Sequence, residues 1–212
     1  FSYAGLTSDI QFVPMSGILL KDKPIKLWYF DDMKRMHYTL DGSAPTTASP
    51  TVSPELSLAG PATVTYTRFT NRSRYDKSVR GEFKVGEALK PVVKPKTYKP
   101  GGFGFSYYEG EWNSWPDLRN QKPQLTGITD KNFDANALPR KNNYALLIEG
   151  LFEAKEDGYY MFIFQADKQS KLYVGGKLLM EWNGGYTKPT YTYILPLQKG
   201  FYPLRLEYLH QK

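Results

Sequence analysis

The 212-residue chain has no cysteine and only two histidines, His37 and His210. The first absence removes disulfide staples and thiolate chemistry. With no thiol, no HExxH pattern and no paired histidines, zinc catalysis has no ligand set. No apolar run is long enough to span a membrane. No signal peptide is visible, and the chain opens on Phe1 rather than Met, which reads as a processed form or a fragment. The glycine-rich stretch at residues 101–104 lacks the helix that a phosphate loop needs. What the chain has in excess is tyrosine, 17 residues. Tyr, Thr, Val and Phe dominate its periodic segments, and such side chains suit a pleated, half-buried surface, so an all-β fold is expected.

Lys and Arg outnumber Asp and Glu by 28 to 21, for a net charge of +7. Four of these charges, Lys90, Lys94, Lys96 and Lys99, lie in one acid-free stretch, and removing them leaves +3 of the +7. A nucleic-acid groove needs a sustained basic stripe on one face. The observed distribution fits a basic linker between near-neutral domains, so nucleic acid is not expected as a partner.

That stretch, LKPVVKPKTYKPGG at residues 89–102, also carries Pro91, Pro95 and Pro100. Proline removes backbone donors and favours extended geometry, so a semi-rigid linker is expected between a domain at 1–88 and a second at 103–212. In the first, strands are expected at 10–13, 25–30, 36–40, 62–69 and 80–85. Short strands with frequent turns and little helical periodicity suggest a small β-sandwich. In the second, strands are expected at 103–109, 144–153, 159–166, 171–174, 177–182, 191–196 and 201–208. Residues 171–182 read as a hairpin closed on Gly175-Gly176. Residues 111–143 are polar and read as one long loop, a feature that is often functional.

Catalytic groups are harder to assemble. Glycoside hydrolysis needs two carboxylates facing each other across a cleft. Glu109 and Glu111, or Glu156 and Asp157, are close in sequence, but nothing suggests a cleft between either pair. Asp31 and Asp32 read as a solvated loop, since a hard cation wants several convergent oxygens.

Two family resemblances follow from these motifs. The run His37-Tyr38-Thr39-Leu40-Asp41-Gly42-Ser43-Ala44-Pro45-Thr46 is a strand entering a turn, in which Asp41 bonds its own backbone and Gly42 accepts positive φ. With Ser49-Pro50, an alternating strand and Ser78-Val79-Arg80, it resembles the fibronectin type III-like C-terminal domain of chitobiases and β-hexosaminidases, an accessory module without catalytic residues. The second half is ordered as Tyr107-Tyr108-Glu109-Gly110, Ala145-Leu146-Leu147-Ile148-Glu149-Gly150, Glu156-Asp157-Gly158-Tyr159-Tyr160-Met161-Phe162, the hairpin, and Lys199-Gly200-Phe201-Tyr202-Pro203. This resembles the PA-fourteen domain, the protective-antigen-type β-barrel. The expected fold is therefore a small fibronectin III-like β-sandwich followed by a PA-fourteen-type barrel.

The second resemblance implies a site. In sugar-binding members of that family, adjacent acids after the YxFxxxSDDGS-type strand hold calcium, and calcium holds sugar hydroxyls. Here the position reads Gln165-Ala166-Asp167-Lys168-Gln169-Ser170. Asp167 keeps the first acid, and Lys168 replaces the second with an ammonium that repels calcium. No metal or other cofactor is expected, and calcium is disfavoured. A calcium-free mode would stack sugar on aromatic faces and bond its hydroxyls through polar side chains. Trp112, Trp115, Trp182 and Tyr186 are the stacking candidates, with Asp167, Lys168, Gln169 and Asn183 as polar ones. The alternative for Trp182 is a core position, and for Trp115 a pin for the long loop. The resemblances imply a non-catalytic accessory region of a secreted, periplasmic or surface-exposed bacterial carbohydrate-active enzyme. Its partners would be an oligosaccharide or polysaccharide and an upstream catalytic domain. The competing readings are a scaffold that docks on that domain without binding sugar, and a complete enzyme.

Overall fold

A computed structural model describes residues 12–29, 35–54, 56–70, 77–96, 101–129, 134, 137–166, 168–184 and 190–211. The described chain is all-β apart from short 3-10 turns. It divides into two compact units. The first takes in the described residues up to Leu89, together with Gly158–Ile163 and Thr190–Leu197. The second takes in Lys90–Asp157, Phe164–Pro189 and the segment from Gln198 onward. The first unit thus draws on sequence from both sides of the proline-rich stretch, whereas the second begins within that stretch and continues beyond it.

The first unit is built on a mixed sheet. Its strands are β2 (Ser16–Leu19), β5 (Met36–Thr39), β7 (Ala62–Arg68), β8 (Lys77–Val85), β12 (Gly158–Gln165) and β15 (Thr190–Leu197), in the order β12-β15-β2-β8-β7-β5. β2 lies parallel to both β15 and β8, whereas β7 is antiparallel to β8 and β5. Two short ribbons complete it: β1 (Phe12–Val13) with β4 (Trp28–Tyr29), and β3 (Ile25–Lys26) with β6 (Ser57–Leu58). The core gathers Phe12, Leu19, Leu27, Met36, Val64, Tyr66 and Phe83. Tyr66 is fully buried, and its hydroxyl finds the hydroxyl of Tyr29 at 2.6 Å. Burial pushes the pKa of both phenols up, so the pair is a neutral hydrogen bond that satisfies two buried polar groups.

Strands β12 and β15 are tied into this unit by side chains as well as by the ladder. The Tyr159 hydroxyl accepts from the Leu20 amide at 2.7 Å and donates to the Lys23 carbonyl at 3.1 Å. The Met15 amide donates to Thr192 Oγ1 at 2.9 Å. Gly17 is required where β2 meets β15, because the Ile194 backbone passes where a Cβ would sit.

The second unit is an antiparallel sheet in the order β10-β9-β11-β16-β13-β14. Its strands are β9 (Phe103–Glu109), β10 (Leu125–Thr129), β11 (Tyr144–Ala154), β13 (Gln169–Val174), β14 (Lys177–Trp182) and β16 (Gly200–His210). Each face carries a buried cluster. Tyr108, Leu118, Ala145, Leu147 and Leu209 form one, and Tyr107, Leu138, Tyr144 and Leu146 the other.

Three strands were not expected from sequence: β2, β6 and β10. The stretch 111–143, read as a long loop, contains β10 and a 3-10 turn at Leu118–Asn120. β10 is mostly exposed and broken by Gly127, over which the Phe105 ring packs, so it lacks the alternation that marks a half-buried strand. β2 was hidden by the Ser-Gly pair at its start, which imitates a turn. The proline-rich stretch is pinned at its start by bridges from Leu89 to Leu197 and from Val92 to Phe201. Asp31 and Asp32 lie outside the described residues.

Candidate functional site

The expected hairpin is present, and its geometry follows from its residues. Along β13 burial alternates, so Ser170, Leu172 and Val174 point inward while Gln169, Lys171 and Tyr173 line the opposite face. Val174 pairs with Lys177 across Gly175 and Gly176, whose φ values are +59° and +78°. Two left-handed residues in succession make the two-residue hairpin turn whose twist matches the flanking strands. A register shift at Leu172/Tyr173 marks a bulge in this outermost pair. The chain leaves β14 through Trp182 and the exposed Asn183, then turns at Gly184 with φ +83°. Gly184 lies against Gln169, whose Cγ is 3.3 Å from the position a Cβ would take. Entry and exit of the hairpin therefore adjoin, bringing Gln169 beside the Asn183–Gly184 turn. Ser170 Oγ donates to the Lys168 carbonyl at 3.0 Å and fixes the path of the entering loop.

The register separates the candidate aromatics. Ser170 pairs with both Trp182 and Tyr208, so these three share one face of the sheet. Gln169 pairs with Leu209, which belongs to the opposite cluster, the one packed by Trp112 and Trp115. Trp115 is held on three sides. Its indole Nε1 donates to Glu207 Oε2 at 2.7 Å, the Lys171 ammonium sits 4.4 Å from its ring centroid, and its ring packs on the buried cluster. Trp112 packs on the same cluster and against Gly110, and its carbonyl accepts from Gln211. Trp112 and Trp115 thus fold residues 111–121 onto the sheet. Asp167 and Tyr186 lie outside the described residues. Gln169, Asn183 and Lys168 are brought together at the hairpin's open end, while the three described tryptophans of this half do not form a single platform.

Sequence reasoning missed the polar network around Trp115. The Arg205 guanidinium stacks on the Tyr173 ring at 3.8 Å and pairs with Glu207 at 3.2 Å. Lys171 pairs with Glu181 at 3.5 Å. The signal was available as charged and aromatic residues two apart on neighbouring strands, Lys171 and Tyr173 on one, Arg205 and Glu207 on the other.

The carboxylates considered for hydrolysis have structural partners. Glu109 accepts from the Tyr107 hydroxyl at 3.0 Å and pairs with Arg140 at 2.7 Å. Glu111 accepts from Asn143 at 2.7 Å, and Asp157 accepts from the Lys199 amide at 2.6 Å. His37 contacts the Ser49 carbonyl and His210 the Tyr144 hydroxyl. Among the described residues no group of three or more His, Asp or Glu side chains could hold a metal ion. No helix among them is long and apolar enough to cross a membrane, which leaves strand-built spans unaddressed. In the first unit Asp41 holds its turn as read from sequence. Its Oδ1 accepts from the Ser43 hydroxyl at 2.6 Å and the Ser43 amide at 2.9 Å, and these bonds lower its pKa.

Residues 94–212 match the PA14 domain family. No curated protein matches the chain in sequence. Among solved structures, a β-glucosidase from Kluyveromyces marxianus in complex with glucose is 23% identical with a TM-score of 0.42, over 57% of this chain and 15% of its own. A GH31 α-xylosidase from Xanthomonas citri is 14% identical with a TM-score of 0.42, over 89% of this chain and 23% of its own. An anti-sigma factor domain-containing protein from Clostridium clariflavum is 14% identical with a TM-score of 0.41, over 71% of this chain and 51% of its own. The chain therefore spans a minor part of the two glycosidases' length.

Proposed function

Because the chain belongs to the PA14 domain family, a typically non-catalytic kind of domain, we propose that it is an accessory region of a secreted bacterial carbohydrate-active enzyme. In this reading it binds glycan and positions it for a catalytic domain elsewhere in the same protein. The observation that supports it best is the packing of Gly184 against Gln169, which sets Lys168 and Asn183, their chain neighbours, at the same open end of the β13–β14 hairpin, where sugar-binding members of the family would carry their site. Amide and ammonium groups there can donate to several sugar hydroxyls without a metal. The lysine in place of the second acid makes the mode calcium-independent.

Calorimetric titration of the 212-residue chain with cellohexaose, chitohexaose and laminarihexaose tests this. Binding of at least one oligosaccharide is expected, unchanged by EDTA and weakened about tenfold, or ~1.4 kcal/mol, by Gln169→Ala combined with Asn183→Ala. Absence of binding to all three would overturn it. A strict calcium requirement would overturn the metal-free mode.

A scaffold that docks on the catalytic domain without sugar is the second reading. It is favoured by one specific feature: Trp112 and Trp115 have their rings committed to the sheet rather than offered to a ligand.

A further inference from the structure

The most exposed of the four tryptophans lies in the first unit, outside the hairpin and outside the residues matched to the family. Trp28 on β4 leaves 64% of its surface in solvent. Its neighbours alternate cleanly: Ile25 and Leu27 are buried in the core, while Lys26 and Trp28 are exposed. In extended chain this places Lys26 and Trp28 on one outward face. Across the β3–β6 ribbon Lys26 pairs with Ser57, itself exposed, so a hydroxyl joins the ammonium on that side.

A tryptophan ring is a large apolar surface to leave in water, while Leu27 before it is buried and Tyr29 after it is partly buried against the core. The character of the surroundings selects among ligands. A protein interface buries roughly 800 Å² per partner around an apolar centre. Here the exposed companions of the ring on this face are Lys26 and Ser57, its cross-strand partner Val13 is buried, and among the described residues the next exposed large hydrophobic along the chain is Leu40. A single ring beside hydrogen-bond donors suits a saccharide, whose C–H face stacks on the indole while its rim of hydroxyls meets Lys26 and Ser57.

We propose that Trp28, with Lys26 and Ser57, forms a saccharide-stacking subsite on the first unit, separate from the hairpin. This rests on the reading of the chain as glycan-binding. The test is calorimetric titration of the 212-residue chain with the same three hexasaccharides, using Trp28→Ala, Trp28→Tyr and the paired Gln169→Ala/Asn183→Ala variant. Trp28→Ala is expected to weaken binding at least tenfold or to remove one site from the stoichiometry. Trp28→Tyr, which keeps an aromatic face, is expected to restore most of it. Circular dichroism melts should show both Trp28 variants folded, as expected for an exposed side chain. Saturation-transfer NMR should place sugar C–H protons on an indole whose signal disappears in Trp28→Ala. Binding unaltered by Trp28→Ala but lost in the paired variant would overturn this subsite and leave the proposed function standing. No binding by the unaltered chain would overturn both.

Discussion

Tyr107 illustrates how single side chains decide where residues 111–143 lie. It is fully buried on β9, yet its hydroxyl donates to Glu109 at 3.0 Å and accepts from the Arg140 amide at 3.2 Å. Burial foremost, with the bond to Glu109, raises its pKa, so the phenol stays a neutral donor at physiological pH. One buried group thus anchors the far end of the connection, and Trp115 anchors the near end through Glu207. Tyr107→Phe would leave the Arg140 amide without this acceptor and Glu109 without one donor. The expected cost is about 1–2 kcal/mol, measured as a lower urea midpoint with unchanged slope. A midpoint within error of the unaltered chain would show that water replaces the hydroxyl. The same scale explains why the site was only partly legible. Lys168 in place of an acid is visible in the sequence, because ligand chemistry is a property of the residue. The packing of Trp112 and Trp115 is not, because it depends on residues far along the chain, Gln211 for the one and Glu207 and Lys171 for the other.

At the level of elements, the two kinds of glycine in this protein separate backbone need from space. Gly176 has a left-handed backbone with open space where a Cβ would go, so Gly176→Ala should cost only the conformational penalty, about 1 kcal/mol. Gly81 on β8 has ordinary backbone but faces the Met15 carbonyl where its Cβ would lie. Gly81→Ala must therefore push β8 off the chain beside it, at roughly 3 kcal/mol. Thermal melts of the two variants should rank in that order. Equal losses would mean that the strand can shift at little cost. Elements with strong alternation or a glycine-paired turn, such as β7, β9 and the β13–β14 hairpin, were read from sequence close to their observed bounds. β2 and β10 were not, because each carries a glycine demanded by a neighbour rather than by its own turn. Ile194 imposes the one and Phe105 the other.

Across the whole molecule, the linear order of motifs and the assembly of sheets diverge. The ladder of the first unit runs β12-β15-β2-β8-β7-β5, so two of its strands come from beyond the proline-rich stretch. A fragment of residues 1–93 would lack β12 and β15 and leave one side of β2 unpaired. It is expected to show no cooperative thermal transition by circular dichroism, where the 212-residue chain melts sharply. A sharp melt of the fragment would show that β2, β8, β7 and β5 suffice with the ribbons. For the same reason the domain order expected at 1–88 and 103–212 describes motif boundaries along the chain rather than the membership of its compact units.

Sequence alone determined the all-β character, the hairpin on Gly175-Gly176, the Asp41 turn and the kinship of the second half, since these rest on local periodicity, turn chemistry and motif order. It also marked the chemical change at Lys168. Tertiary structure decided which strands complete which sheet, that Trp112 and Trp115 serve the fold, and that Trp28 faces solvent. Such outcomes depend on pairings between residues more than a hundred positions apart, as Met15 with Thr192 and Leu20 with Tyr159 show. No local window of the sequence contains both partners of a long-range contact, so only the folded chain reveals which side chains packing consumes and which it leaves for a ligand.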